Sequence, residues 1–152
     1  MIRIYNIKDK MEHLKEVSEL TVKEWGKYSS QDEFDNKVKK KIEKIKNYLN
    51  RNDYCKLILL DDDSLIGFIS IFPTDGEERK DLSPWYATMY VKKEYRNLGY
   101  SKILNTAILK EAKKRGFSKL YLKTDLNNYY EKFGAIYMER LNNGEKLYYI
   151  NC

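Results

Sequence analysis

The sequence predicts one α/β domain, built on a mixed, mostly antiparallel sheet with helices on both faces. Three observations support this fold. Two amphipathic helical segments occupy the first third of the chain, strand and helix patterns alternate in the second half, and two turn signals, 61–64 and 142–144, separate strand-like segments. Hairpins pair strands antiparallel, whereas a strand–helix–strand unit joins parallel strands by a right-handed crossover. The 152 residues suit a single domain spanning 1–152.

The hydrophobic pattern also gives the individual elements. Strand-like patterns lie at 2–5, 54–60, 65–72, 84–91, 119–123, 136–141 and 146–150. Helical patterns lie at 10–25, 30–50, 101–115 and 128–133. Gly26 ends the first helix. Ser29 or Ser30 caps the second, with Glu33 three residues after Ser30 as in a capping box.

Composition excludes several classes of protein. A hydrophobic fraction of 42% and 14 tyrosines argue against disorder. No apolar run approaches a membrane span, and no apolar signal region follows Met1, so we expect a cytoplasmic protein with no membrane partner. Cys55 and Cys152 are far apart and His13 is the one histidine, so we expect neither a disulfide nor a metal site.

The net charge of +6 and the pI near 9.1 favour anionic ligands. Six lysines cluster in the second helix, at Lys37, Lys39, Lys40, Lys41, Lys44 and Lys46. Apolar residues recur there at helical spacing, so the lysines are predicted to cover the solvent side. The alternative is contact with nucleic acid or an acidic partner. Nucleic acid is disfavoured, because the chain has no RNA-binding or helix-turn-helix motif.

The strongest functional signal is the loop between the strand at 84–91 and the helix at 101–115. It contains Gly99 and a flanking Arg96. A strand that enters a helix through such a loop presents free N–H groups at the helix start, which bind phosphate. The glycine patterns of nucleotide-triphosphate and dinucleotide loops do not occur. The sequence therefore predicts a different phosphate-bearing ligand.

The run Arg-Asn-Leu-Gly-Tyr-Ser at 96–101 resembles the R-x-x-G-x-G/A pyrophosphate loop of the GNAT N-acetyltransferase superfamily. The run at 84–91 resembles that family's fourth strand, and Tyr-Tyr-Glu-Lys-Phe-Gly-Ala at 129–135 resembles its L-Y-E-K-x-G-F segment. The resemblance covers about 65–150. It implies a GNAT-like fold in which strands four and five splay apart to admit the pantetheine arm of acetyl-coenzyme A, with no metal.

The resemblance also implies roles for particular residues. The backbone of Met89, Tyr90 and Val91 would hold the pantetheine arm and polarise the thioester carbonyl. Tyr130 would be the general acid that protonates the leaving thiolate. Residues for the coenzyme outside the strand are Arg96, Asn97, Leu98, Gly99, Tyr100, Ser101 and Lys102 on the pyrophosphate, and Asn127 on the pantetheine amide. Tyr129 would point elsewhere on a helix.

Two positions of the loop depart from the family pattern. Ser101 stands where Gly or Ala is usual, and Asn97 replaces a common glycine. Ser101 is small and can serve as an N-cap. A serine held at positive φ would be strained, so the backbone at this residue decides how well the loop closes around phosphate.

The resemblance implies an enzyme that moves an acetyl group to a primary amine of a small molecule or protein, by direct attack in a ternary complex. The general base is open: Glu24 and Glu33 are candidates, with surface roles as the alternative. One competing interpretation is a catalytically weak acyl-coenzyme A sensor or interaction module of the same fold. Another is a basic protein associated with nucleic acid. The sequence does not identify the amine acceptor or the oligomeric state, and it is compatible with a homodimer.

Overall fold

The computed structural model describes all 152 residues. Its strands are β1 (Ile2–Asn6), β2 (Cys55–Asp61), β3 (Ser64–Phe72), β4 (Trp85–Val91), β5 (Lys119–Thr124), β6 (Ile136–Arg140) and β7 (Lys146–Asn151). Its helices are α1 (Leu14–Trp25), α2 (Gln31–Tyr48) and α3 (Tyr100–Lys114). Short 3₁₀ turns cover Ile7–Asp9, Met11–His13, Lys93–Tyr95 and Tyr130–Phe133. None of the helices is both long and apolar enough to cross a membrane.

The seven strands form one sheet in the order β1-β2-β3-β4-β5-β7-β6. Every neighbouring pair is antiparallel except β4 and β5, which are parallel and joined through α3. The predicted fold class, a mixed and mostly antiparallel sheet with helices on both faces, is confirmed.

Side chains alternate across β2 and divide the core into two layers. Leu57 and Leu59 belong to the layer that packs against α3, which we call the α3 face. Ile58 and Leu60 belong to the layer that packs against α1 and α2, the α1/α2 face. All four side chains are buried. The sheet is therefore covered on both faces at β2.

The helix ends explain where the predicted boundaries were wrong. The first helix begins at Leu14 because Met11–His13 forms a 3₁₀ turn. Gly26 ends α1, but in an extended conformation, and a Cβ there would lie 2.6 Å from the Val22 carbonyl oxygen. The segment predicted as a fourth helix at 128–133 is a short 3₁₀ turn at Tyr130–Phe133.

The capping prediction for α2 is confirmed with one shift. The Ser30 hydroxyl accepts a hydrogen bond of 3.1 Å from the Glu33 N–H. The Glu33 carboxylate reaches back to Ser29, accepting from its N–H and its hydroxyl at 3.0 Å each.

A β-bulge and a split shape the centre of the sheet. Thr88 and Met89 of β4 both lie opposite Ile69, and Thr88 has a φ of 49°, which is rare for a β-branched residue. β5 pairs with β4 only where Trp85 meets Tyr121. Beyond that point the two strands separate, so the predicted splay of strands four and five is confirmed.

Candidate active site

A cavity of about 640 Å³ opens where β4 and β5 separate, a volume typical of small-molecule sites. β4, the loop after it, the start of α3 and the segment after β5 form its walls. The lining residues are Glu24, Met89, Tyr90, Val91, Tyr95, Arg96, Asn97, Gly99, Tyr100, Ser101, Leu126, Tyr129, Tyr130 and Lys132.

The start of α3 supplies the cavity with backbone donors. Asn97 and Gly99 have left-handed conformations, with φ values of 64° and 86°, and Gly99 is the N-cap of the helix. No side chain caps this helix, and its first turn contains no acidic residue. The first N–H groups therefore keep their capacity for a ligand, and the helix dipole favours an anion there.

Ser101 lies inside α3, because the helix begins at Tyr100. The positive φ values fall on Asn97, which tolerates them, and on Gly99, which has no Cβ. The serine therefore carries no strain of this kind. Gly99 takes the N-cap position that the sequence allowed to Ser101.

Arg96 adds a fixed positive charge to the same wall. Its Nε donates a hydrogen bond of 2.9 Å to the Val91 carbonyl oxygen. Its guanidinium carbon lies 5.6 Å from the centroid of the Tyr90 ring. Only Nε is used, so the terminal N–H groups remain available to a phosphate.

The edge of β4 also presents backbone groups to the cavity. The Lys92 N–H bonds to the Ile66 carbonyl oxygen on the β3 side at 2.8 Å. Neighbouring residues of a strand direct their N–H groups to opposite sides, so the Val91 N–H points away from β3. Because β5 has separated from β4 at this level, that edge is open to a ligand that adds hydrogen bonds like a strand.

Tyr130 lines the cavity and is held by other aromatic rings. Its ring centroid lies 5.8 Å from that of Tyr86 and 4.8 Å from that of Tyr129, both in edge-on contacts. Burial, with a smaller contribution from Tyr129, raises the pKa of Tyr130 to about 12. The phenol is therefore protonated at neutral pH and available as a donor.

Tyr129 lines the cavity as well, contrary to the prediction that it points elsewhere. It precedes the 3₁₀ turn instead of lying on an α-helix, so helical geometry does not separate it from Tyr130. The Lys132 ammonium lies 4.1 Å from its ring centroid and brings a second cation to the cavity.

The two candidate bases lie in different places. Glu24, near the end of α1, lines the cavity and is the one carboxylate among the lining residues. Glu33 lies at the start of α2, where both of its carboxylate oxygens accept hydrogen bonds from Ser29. The backbone and hydroxyl hydrogen bonds from Ser29 lower the pKa of Glu33.

The structure gathers most of the residues predicted to bind the coenzyme or act as general acid, and three of these lie outside the lining. Leu98 is 63% exposed and Lys102 is also exposed, so both project from the loop into solvent. Asn127 uses its side-chain oxygen to accept a hydrogen bond from Lys146. Their roles stay predictions, as do those of the lining residues.

Sequence reasoning missed Tyr95, Leu126 and Lys132. Lys132 lies in the Tyr-Tyr-Glu-Lys segment, where the motif could have drawn attention to it. Tyr95 ends a short 3₁₀ turn and Leu126 lies in an irregular segment, so no periodic pattern in the sequence marks either residue. The structure holds no cluster of three or more His, Cys, Asp or Glu side chains arranged for a metal.

A split pair of parallel strands beside an uncapped, glycine-led helix gives the cavity a shape and a positive end that suit an extended, anionic ligand. The chain belongs to the acetyltransferase (GNAT) family, whose model matches residues 14–135.

Solved structures resemble this chain over its full length. The PaiA N-acetyltransferase of Thermoplasma acidophilum, in complex with coenzyme A, has a TM-score of 0.69 and 22% sequence identity, covering 100% of this chain and 99% of that one. An aminoglycoside 6′-N-acetyltransferase complexed with coenzyme A has a TM-score of 0.73 and 18% identity, covering 99% and 96%. At these identities the likeness establishes the fold. Among curated proteins, none matches the sequence significantly.

Proposed function

We propose that this protein is an acetyl-coenzyme A-dependent N-acetyltransferase that acts on a primary amine. One observation carries the proposal: a single cavity joins the uncapped start of α3 to the open edge of β4. Coenzyme A has a diphosphate at one end of an extended amide-containing arm and a thiol at the other. The uncapped start of α3 suits the diphosphate, and the open edge of β4 suits the arm. The two solved neighbours named above were crystallised with coenzyme A.

The pyrophosphate is assigned to the backbone of the loop at 96–101, with charge from Arg96 and Lys132. Lys102, which is exposed, is proposed to add its ammonium from the solvent side. The pantetheine arm is assigned to the open edge of β4 at Met89–Val91. Contact between this arm and Asn127 requires the asparagine to exchange its hydrogen bond with Lys146.

Bound acetyl-coenzyme A supplies a thioester, and the acceptor amine attacks its carbonyl carbon directly in a ternary complex. The acceptor nitrogen forms a C–N bond while the C–S bond breaks, so the amine must lose a proton and the sulfur must gain one. N–H groups at the edge of β4 stabilise the negative charge that develops on the carbonyl oxygen.

Tyr130 is proposed as the acid that gives its proton to the sulfur. Its pKa of about 12 lies above the ~8.5 of a free thiol. The same buried cavity raises the pKa of a thiol by desolvation, which narrows the difference. The phenol therefore stays protonated until charge develops on the sulfur, and then donates.

Glu24 is proposed as the base that receives the proton of the amine, directly or through one water. It is the only carboxylate on the cavity lining. A carboxylate also attracts the protonated amine before reaction, which brings the acceptor to the thioester.

Two measurements test this function. Calorimetric titration with acetyl-coenzyme A should give saturable heat, and its absence at millimolar ligand would contradict the proposal. Thiol release should then be measured with a panel of amines. Saturable binding with no thiol release above buffer would favour the weak acyl-coenzyme A sensor instead.

The role of Tyr130 needs its own variant. Tyr130→Phe should lower kcat at least tenfold, roughly 1.4 kcal/mol or more, with little change in coenzyme affinity. Tyr129→Phe is the matched control, because it removes a neighbouring phenol from the same lining and should keep kcat within about threefold. Equal losses in both variants would remove Tyr130 from the chemistry.

A further inference from the structure

A second groove, of about 320 Å³, lies between the end of α1 and the length of α2. Its lining residues are Thr21, Val22, Trp25, Gly26, Lys37, Lys40, Lys41 and Lys44. Every charged side chain among them is a lysine. We call it the lysine groove. The six lysines of α2 were predicted to cover its solvent side, and five of them are exposed. Four of the six also line this groove.

The lysine groove and the cavity meet at the last residues of α1. Glu24 lines the cavity, and the next residue, Trp25, lines the groove. The Trp25 ring packs edge-on against Tyr90 of the cavity wall, with 6.3 Å between centroids. The Trp25–Tyr90 pair therefore separates the groove from the cavity.

A buried lysine lies beneath this region on the α1/α2 face. Lys56 of β2 is 1% exposed, and no ion pair of the structure includes it. Its ammonium lies 4.9 Å from the centroid of Phe68 and 5.8 Å from that of Phe72. The Lys44 ammonium of the groove lies 5.6 Å from the same Phe72 ring. The ammonium groups of Lys44 and Lys56 therefore both lie near the Phe72 ring. Lys56, the more deeply buried of the two, has no carboxylate partner.

Lys41 links the buried lysine to the groove. Burial, and then the charge of Lys41, lower the pKa of Lys56 to about 7. Burial, and then the charge of Lys44, lower the pKa of Lys41 itself. These ammonium groups are close enough to repel one another, so an anion placed among them would relieve both desolvation and repulsion.

The carboxylates nearby do not meet this need. Asp75, after β3, faces Lys41 and Lys44, and its pKa is raised mainly by burial, with Glu145 adding to the rise. Its Oδ1 is already 3.9 Å from the Lys123 ammonium of β5. The Asp75 carboxylate is therefore shared between Lys123 and the lysines of the groove, and it does not neutralise all of them.

We propose that the lysine groove is the acceptor subsite and binds the carboxylate or phosphate group of an anionic amine, whose amino group reaches Glu24. This inference rests on the proposed function. The charges of such an acceptor are complementary to those of the two sites. Its ammonium is placed at Glu24, the one carboxylate of the cavity lining, and its anionic group is placed among the lysines of the groove. A polycationic amine would place like charges together in the groove.

Anion binding is tested on the whole protein saturated with coenzyme A, so that the loop at 96–101 is filled. Calorimetry with inorganic phosphate and with glutarate, at fixed ionic strength in chloride, should show saturable binding. The double variant Lys41→Met/Lys44→Met should weaken it at least tenfold. The control Lys39→Met/Lys46→Met removes two exposed lysines of α2 outside the groove and should change it less than twofold.

Equal affinities in both double variants, or no saturable binding to the native protein, would overturn the inference. The test also separates the two proposals. If coenzyme A does not bind, the proposed function fails, and the phosphate titration is repeated on the Gly99→Val variant, whose loop is blocked. Binding there that depends on Lys41 and Lys44 would keep the groove as an anion site.

Turnover tests the acceptor class, and matched probes distinguish the two anions. 4-Aminobutyrate is compared with butylamine and 1,4-diaminobutane, and 2-aminoethyl phosphate with ethanolamine. In each set the anionic amine should have at least tenfold higher kcat/KM, and the ratio should fall to within about twofold in Lys41→Met/Lys44→Met. Preference for the neutral amine or the diamine would overturn the assignment.

Discussion

The two sites on either side of the Trp25–Tyr90 pair obtain positive potential in different ways. In the cavity, much of it comes from backbone N–H groups at the start of α3, with no side-chain cap. In the lysine groove it comes from side chains of α2, with Lys56 behind them. A backbone site depends on the conformation of one loop, whereas a side-chain site depends on how separate elements pack.

The two designs also differ in what they cost the fold. Asn97 and Gly99 take left-handed conformations that their residue types tolerate, so the loop stores little strain. A lysine with 1% exposure and no ion pair lowers the stability of the native state. The comparison teaches that the loop at 96–101 forms its anion site without strain in the backbone. The lysine groove instead lies above a buried charge, which lowers the stability of the fold.

The largest effect should follow from changing the loop. Gly99→Val should weaken coenzyme A binding at least a hundredfold in calorimetry, because the φ of 86° excludes a branched side chain and its methyls enter the space open to the ligand. Gly116→Val is the matched control, with a φ of 95°, open space and a position at the far end of α3. Similar affinities for the two variants would show that the loop backbone does not hold the coenzyme.

The next effect concerns the carboxylate between the two sites. Glu24→Gln should lower kcat/KM about tenfold or more at neutral pH while coenzyme affinity stays the same, since the amide accepts no proton. Glu33→Gln removes a carboxylate that caps α2 and should affect stability instead of turnover. Unchanged turnover in Glu24→Gln would show that water, and not Glu24, receives the proton of the acceptor amine.

A smaller effect tests the cost of the buried lysine. Lys56→Met should stabilise the ligand-free protein at pH 7 by roughly 2–5 kcal/mol, from a pKa that falls from 10.5 to about 7 on folding. Below pH 7 both states carry the charge and the penalty is complete. Between pH 7 and 10.5 the unfolded chain alone holds the proton, so the penalty fades as pH rises.

Denaturant unfolding at several pH values measures this trend. The gain in Lys56→Met should be largest below pH 7 and nearly absent at pH 10.5, with Lys41 and Cys55 as the charged and titratable neighbours that modulate it. Lys39→Met, on the exposed side of α2, should change stability by less than about 0.5 kcal/mol at every pH. A destabilised Lys56→Met would mean that the ammonium has a partner in solution.

The smallest effect should come from the start of α2. Ser30→Ala removes the acceptor of the Glu33 N–H and should lower the free energy of unfolding by about 1 kcal/mol. Affinities for coenzyme A and for phosphate should stay within twofold, since the cap lies outside both linings. Weaker phosphate binding would show that the groove depends on the whole of α2.

Much of the fold was open to prediction because its signals are local. The turn at 142–144, the cap at Ser30 and the apolar runs of the strands each act within a few residues. The errors lie where local signals are weak. Met11–His13 and Tyr130–Phe133 are 3₁₀ turns, and the helical spacing of apolar residues does not distinguish such a turn from an α-helix.

By itself the sequence determined the class of fold, the loop proposed to bind phosphate and the resemblance that gave Tyr130 its proposed role. These follow from spacings between neighbours in the chain, which fix backbone geometry directly. Only the tertiary structure brought Glu24 to the cavity, turned Tyr129 towards it, and set the lysines of α2 above Lys56 of β2. Contacts between distant segments are decided by packing, and the pattern along one segment records only which of its faces is apolar.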